Sequence, residues 1–146
     1  MNRNIGHVQG EASEMEVALD LISNGCRVSQ TYGHSHPYDL IADRGGQLLK
    51  IQVKTAKTRK GVNQYFIKLP DTTKYTRETV DLFAGYAPGE DRVFYVPYPE
   101  MGARASVTFT PLDKMGSAAN RERANHISEY TFEEAIKRLH HERGVI

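Results

Sequence analysis

The sequence contains no tryptophan and a single cysteine, Cys26, in 146 residues. One cysteine excludes an internal disulfide and a cysteine-based zinc site. At the start of an expected strand, Cys26 reads as a small buried hydrophobe. No apolar run approaches the roughly 18 residues that a membrane helix needs. Met1-Asn2-Arg3-Asn4 also lacks the apolar core of a secretory signal. These absences point to a cytoplasmic chain with no membrane partner. Internal repeats and low-complexity tracts are missing too. Net charge is nearly absent at +1, so the whole-chain balance names no partner. A chain of this length fits one domain, 1–146, that buries roughly two thirds of its unfolded surface without staples.

The near-neutral total hides a local excess. Lys50, Lys54, Lys57, Arg59, Lys60, Lys68, Lys74 and Arg77 face only one acid, Asp71, in their segment, a local charge of +7. Upstream, Glu11, Glu14, Glu16 and Asp20 form an acidic stretch. A basic segment beside an acidic cluster suits a metal-dependent enzyme acting on a polyanion. Solvated strands and loops also carry lysines by chance, so charge alone leaves both readings open.

Periodicity supplies the elements. Met15, Ala18, Leu19 and Ile22 are spaced as the buried stripe of an amphipathic helix that stops at Gly25. Ser13-x-x-Glu16 has capping-box spacing, with a start nearer Gly10 equally open. Arg27 to Gln30 reads as a short strand. Tyr38 to Ala42 and Gln47 to Thr55 read as a hairpin turning through Asp43-Arg44-Gly45-Gly46. In its second strand Leu49, Ile51 and Val53 face one way, and Lys50, Gln52 and Lys54 the other. Tyr65, Ile67 and Leu69 alternate in a further strand. Asp81 to Tyr86 and Val93 to Val96 form a second hairpin, and Ala105 to Thr110 a late strand. Met115 to Asn125 reads as a polar loop. Thr131-x-x-Glu134 caps a last helix with Phe132, Ala135, Ile136 and Leu139 on its apolar side.

Four residues in this frame carry chemistry. Gln52 and Lys54 are two apart and project from one sheet face. Asp39 opens the partner strand, and Glu14 on the first helix can reach the same edge. Hard oxygen ligands beside an ammonium suit magnesium, which keeps waters and bridges to phosphate. As plain alternatives, the glutamates complement a helix dipole, Asp39 forms a turn, and Lys54 is a solvated strand lysine.

At these residues the chain resembles the PD-(D/E)XK nuclease superfamily, through Gly10-x-x-x-Glu14, Pro37-Tyr38-Asp39 and Gln52-Val53-Lys54. The strings Tyr38-Asp39-Leu40-Ile41-Ala42 and Ile51-Gln52-Val53-Lys54-Thr55 are most similar to its group I intron-encoded homing endonucleases. Val80-Asp81-Leu82-Phe83-Ala84 and Tyr95-Val96-Pro97 look like the same branch. The likeness covers about residues 6–100, with 101–146 as a C-terminal extension. It implies an α/β fold, a restriction endonuclease-like core with a mixed central sheet flanked by helices. It also implies cleavage of double-stranded DNA with Mg2+, for which Mn2+ can substitute. Glu14, Asp39, Gln52 and the Val53 carbonyl then hold the metal, and Lys54 handles the attacking water. Archaeal Holliday junction resolvases share the Gly-x-x-x-Glu start and are the nearest rival, followed by restriction-like nucleases. Most members carry Asp or Glu where this chain has Gln52, whose amide oxygen ligates without negative charge. That departure keeps a third reading open, a catalytically inactive DNA-binding or assembly module.

The remaining candidates are weaker. Lys57, Arg59 and Lys60 fit phosphate contacts, and Arg121 and Arg123 a second DNA-contacting patch. His34-x-His36 has no third zinc ligand near in sequence and fits a loop lining DNA. Tyr65, Tyr75 and Tyr86 fit sheet packing, and His140-His141 an exposed helix side. One metal site per small domain cuts one strand, so a double-strand break calls for a homo-oligomer, dimer or tetramer.

Overall fold

The computed structural model describes residues 5–33, 35–59, 63–69, 75–98, 104–142 and 144. Its centre is a five-stranded mixed sheet built from β1 (Arg27–Gln30), β2 (Leu40–Arg44), β3 (Gln47–Thr55), β6 (Leu82–Ala87) and β7 (Arg92–Pro97), adjacent in that order. The β3–β6 pair is parallel and the other pairs are antiparallel. The crossover between β3 and β6 contains β4 (Lys57–Thr58) and β5 (Gln64–Lys68), which join β8 (Arg104–Thr108) in a second, three-stranded sheet. The helices are α1 (Ile5–Ser23), α2 (Ala118–Arg123) and α3 (Phe132–Glu142).

The β2–β3 hairpin is tighter than its sequence suggests. β2 runs on through Asp43 and Arg44, and only Gly45 and Gly46 turn, at φ 60° and 87°. Two successive positive φ values make the two-residue turn that matches strand twist, and glycine adopts them without steric cost.

Alternation along β6 and β7 divides the interior into two cores, with Leu82, Ala84 and Tyr95 in one and Phe83, Phe94 and Val96 in the other. Leu49, Ile51 and Val53 pack with Val17 and Leu21 of α1 and with Phe132, Ala135, Ile136 and Leu139 of α3. Both long helices therefore lie on one face. The other face carries Phe83, Phe94 and Val96, covered by Tyr65 and Ile67 of β5, Ala105 and Val107 of β8, and Ile127 and Tyr130. Residues after 103 contribute to both cores.

Two helical expectations are corrected. α1 begins at Ile5, so Ser13 lies in mid-helix instead of capping it, and Glu11, Glu14 and Glu16 are not in a first turn. The face turned inward is Ser13, Val17 and Leu21, each 0% exposed. Of the expected stripe only Ala18 packs against the core; Met15 is 73%, Leu19 59% and Ile22 56% exposed. Polar partners decide the rotation: Ser13 Oγ bonds Thr55 Oγ1 at 2.6 Å, and Asp20 accepts the Tyr95 hydroxyl at 2.7 Å. Turning the helix to bury Met15 would forfeit both. In addition, the 115–125 stretch is not a plain loop, because Ser117 caps α2 by accepting the Asn120 N–H. The α3 stripe, Gly25 at φ 84° and buried Cys26 all follow the sequence.

Candidate active site

The site arises where β3 outgrows its neighbour. β2 pairs with β3 only from Arg44 back to Leu40, which lies opposite Ile51. Beyond that point the Asp39 N–H still donates to the Ile51 carbonyl at 2.8 Å, and then the chains part. The Val53 N–H would be left without a strand partner. The Asp39 carboxylate takes that place, its Oδ2 accepting the Val53 N–H at 2.9 Å. In a strand the N–H and C=O of one residue point to the same edge, so the Val53 carbonyl also faces this gap.

On the other edge of β3 a second aspartate does similar work. Asp81 Oδ2 accepts the Lys50 N–H at 2.7 Å, and the Asp81 N–H donates to the Lys50 carbonyl at 2.9 Å. Asp81 is buried at the entry to β6. The two aspartates bracket β3 from both sides and fix its register against β2 and β6. In the sequence Asp81 stands out as an acid heading a wholly apolar strand and as part of the Val80–Ala84 string.

Glu14, Asp39, Gln52 and Val53 line one cleft of about 800 Å³, together with Gly10, His36 and Tyr38. The Ser13–Thr55 hydroxyl pair ties the residue before Glu14 to the residue after Lys54. Lys54 points from the same β3 face as Gln52, with its Nζ 5.7 Å from the centre of the Tyr75 ring. Tyr75, expected only to pack the sheet, is thus also the platform under this ammonium. Across the β3–β6 pair Lys54 lies opposite Gly85, and a Cβ there would come within 2.4 Å of the Phe94 ring. Only glycine leaves the space that Phe94 fills behind Lys54.

Electrostatics set the carboxylate's character. Burial pushes the Asp39 pKa above its ordinary value, while the Val53 hydrogen bond and the Lys54 charge pull it back. Burial and the negative charge of Asp39 together push the Tyr75 hydroxyl up, keeping it neutral.

The donors in the cleft are oxygens, the type a hard divalent cation prefers. No group of three or more His, Cys, Asp or Glu among the described residues is arranged to hold one. The third donor here is an amide: Gln52 Oε1 is buried and has no hydrogen-bond partner among the described residues. A buried carbonyl oxygen without a donor is costly. Placed in a cleft with two carboxylates, it fits a hard cation that prefers oxygen.

The remaining candidates fall elsewhere. Lys57 and Arg59 are exposed at β4, beyond the end of β3, while Lys60 and His34 lie outside the described residues. Arg121 and Arg123 sit exposed on α2, bonded within their own segment to the Met115 and Ala119 carbonyls. Tyr65, Tyr75 and Tyr86 are buried. His140 is not simply exposed, because its ring meets the Gln47 side chain at 2.8 Å.

A mixed sheet whose central strand carries an amide and a lysine past an aspartate at the point of divergence defines a restriction endonuclease-like nuclease core. The chain belongs to the PD-(D/E)XK endonuclease family, whose model matches residues 6–133. Among solved structures it is similar to the bacterial homing endonuclease I-Ssp6803I, with a TM-score of 0.63 and 19% identity over 75% of this chain and 80% of that one. It also aligns with Hjc, a Holliday junction resolvase from the archaeal hyperthermophile Archaeoglobus fulgidus, at a TM-score of 0.47 and 16% identity over 68% and 84% of the two chains. No curated protein matches the sequence.

Proposed function

We propose that the protein is a magnesium-dependent endonuclease of double-stranded DNA, of the intron-homing type. The observation that carries the reading is the buried Gln52 oxygen, without a hydrogen-bond partner among the described residues, in the cleft shared with Glu14 and Asp39. The homing assignment draws on the strings at Tyr38–Ala42 and Ile51–Thr55 and agrees with the fold.

Each residue then has a task. Glu14, Asp39, Gln52 and the Val53 carbonyl would hold the metal. When bound, the metal supplies an acidified water and offsets charge that builds on the phosphate. Asp39 is held in place by the Val53 N–H, so its free oxygen is oriented before any ligand arrives. The Lys54 ammonium orients the attacking water and stabilises the phosphate oxygens as negative charge accumulates. Asp39 and the face of Tyr75 give this ammonium two electrostatic partners.

The decisive experiment incubates purified protein with Mg2+ and a DNA library that includes four-way junctions, then maps the cut ends. Cuts at a defined sequence in linear duplex support the proposal. Cuts confined to junctions would move the assignment to a resolvase. DNA binding without cuts in Mg2+ or Mn2+ would identify an inactive module.

A further inference from the structure

The three-stranded sheet has a second face that the active site does not use. Tyr65 and Ile67 point into the core, so Gln64, Phe66 and Lys68 point outward. Lys57 lies opposite Phe66 on β4, and the Arg59 N–H donates to the Gln64 carbonyl at 2.9 Å, extending the pairing by one residue. On β8, Arg104 lies opposite Lys68. Four cations thus surround a neutral centre of Gln64 and Phe66. The three strands contain no acid. None of the four cations joins an ion pair among the described residues. Like charges directly opposite each other on neighbouring strands destabilise a sheet. The Lys68–Arg104 pair is therefore not explained by the stability of the fold.

We propose that this outer face is the surface by which the protein reads duplex DNA, with the cations on phosphates, Gln64 turned to base edges in the major groove and Phe66 seating the Arg104 guanidinium. The inference rests on the DNA reading above and adds the recognition surface. Three strands at about 4.8 Å spacing span about 10 Å, which suits a major groove about 12 Å wide. Duplex RNA has too narrow a major groove to admit the sheet. Single-strand stacking is disfavoured because the Arg104 guanidinium already covers Phe66, 4.6 Å from its ring centre. The face also joins the site directly. Lys57 follows Lys54 by three residues, about 10 Å of extended chain.

The test measures binding of the full chain to a fluorescent 24-bp duplex of mixed sequence in EDTA, across a potassium chloride titration. Two double variants, Lys57→Ala/Arg59→Ala and Lys68→Ala/Arg104→Ala, are compared with a control, Lys114→Ala/Lys137→Ala, that removes as many exposed cations elsewhere. Each phosphate contact contributes about 0.9 to the slope of log affinity against log salt. Both face variants should flatten the slope by about two units, with the control unchanged. Gln64→Ala should keep the slope and lose base preference in duplexes selected from a randomised pool. Thermal melting verifies that each exposed substitution leaves the fold intact. Face variants with the control's slope overturn the proposal, even if the wild type cleaves DNA. Flattened slopes in a wild type that never cleaves would retain the face and remove the nuclease reading.

Discussion

Ser13 and Thr55 share a 2.6 Å hydrogen bond between helix α1 and the end of strand β3. Each is the chain neighbour of a candidate catalytic residue, Glu14 and Lys54. The bond therefore fixes the distance between the acidic and basic sides of the cleft. Ser13→Ala should cost about 1 kcal/mol of stability and lower the cleavage rate about tenfold, equivalent to about 1.4 kcal/mol of barrier. Affinity for DNA in EDTA should not change. Single-turnover kinetics at saturating protein separate the effects, and an unchanged rate would reduce the pair to simple packing.

Lys54→Ala and Asp39→Ala should each abolish cleavage while leaving DNA affinity within a few-fold of wild type. Asp39 lines the cleft and the Lys54 charge acts on it, and neither belongs to the outer face of the small sheet. Wild-type cleavage by either variant in magnesium would remove the assigned site.

Asp39→Asn should keep the Val53 hydrogen bond, because an amide oxygen accepts as a carboxylate does, and remove the buried charge. The Asp39 pKa is raised in the folded state, so between its ordinary and raised values the folded chain binds more protons than the unfolded one. Stability from this group is then full below the ordinary carboxylate pKa and falls as pH rises through the raised one. Without metal, the variant should be at least as stable as wild type at pH 7, and the gap should close as pH drops through that window. Urea unfolding at a series of pH values checks the sign. A variant less stable at pH 7 contradicts it.

Gln52→Glu should add a third carboxylate to the donor set and tighten magnesium binding, measured by calorimetry. Without metal, the new like charge should raise the Asp39 pKa further. Unchanged magnesium affinity would mean that position 52 faces no cation.

If the homo-oligomer expected from the sequence forms, light scattering should give two or four times the 16.5 kDa chain mass. Val8, Leu19 and Ile22 are exposed apolar side chains on α1, and they are the surface this prediction assigns to a second copy. Leu19→Glu/Ile22→Glu should give monomers that nick single strands without double-strand breaks. A wild type that stays monomeric both free and on DNA rejects this.

The β2–β3 hairpin was legible in the sequence because period-two alternation fixes which side chains share a face. Leu49, Ile51 and Val53 left no other choice, and Gln52 and Lys54 followed by parity. α1 was misread because it has two stripes of comparable apolarity, and hydrophobicity does not rank them. The inward stripe contains Ser13, whose value lies in a hydroxyl partner 42 residues away. Asp81 escaped notice for a related reason, since its work is a backbone bond to Lys50 across 31 residues of separation. Long-range polar pairing leaves no periodic trace.

The contact between Gly85 and Phe94 gives the protein an internal probe. With no side chain at position 85, one α-proton points at the Phe94 ring, where a Cβ would come within 2.4 Å. The aromatic ring current shifts that proton's resonance upfield, out of the crowded glycine region of an NMR spectrum. Because Gly85 lies opposite Lys54 in the parallel pair, any slide of β3 against β6 changes the shift. Titrating magnesium or DNA into isotope-labelled protein would then reveal movement at the lysine's strand from a single peak, with no engineered label.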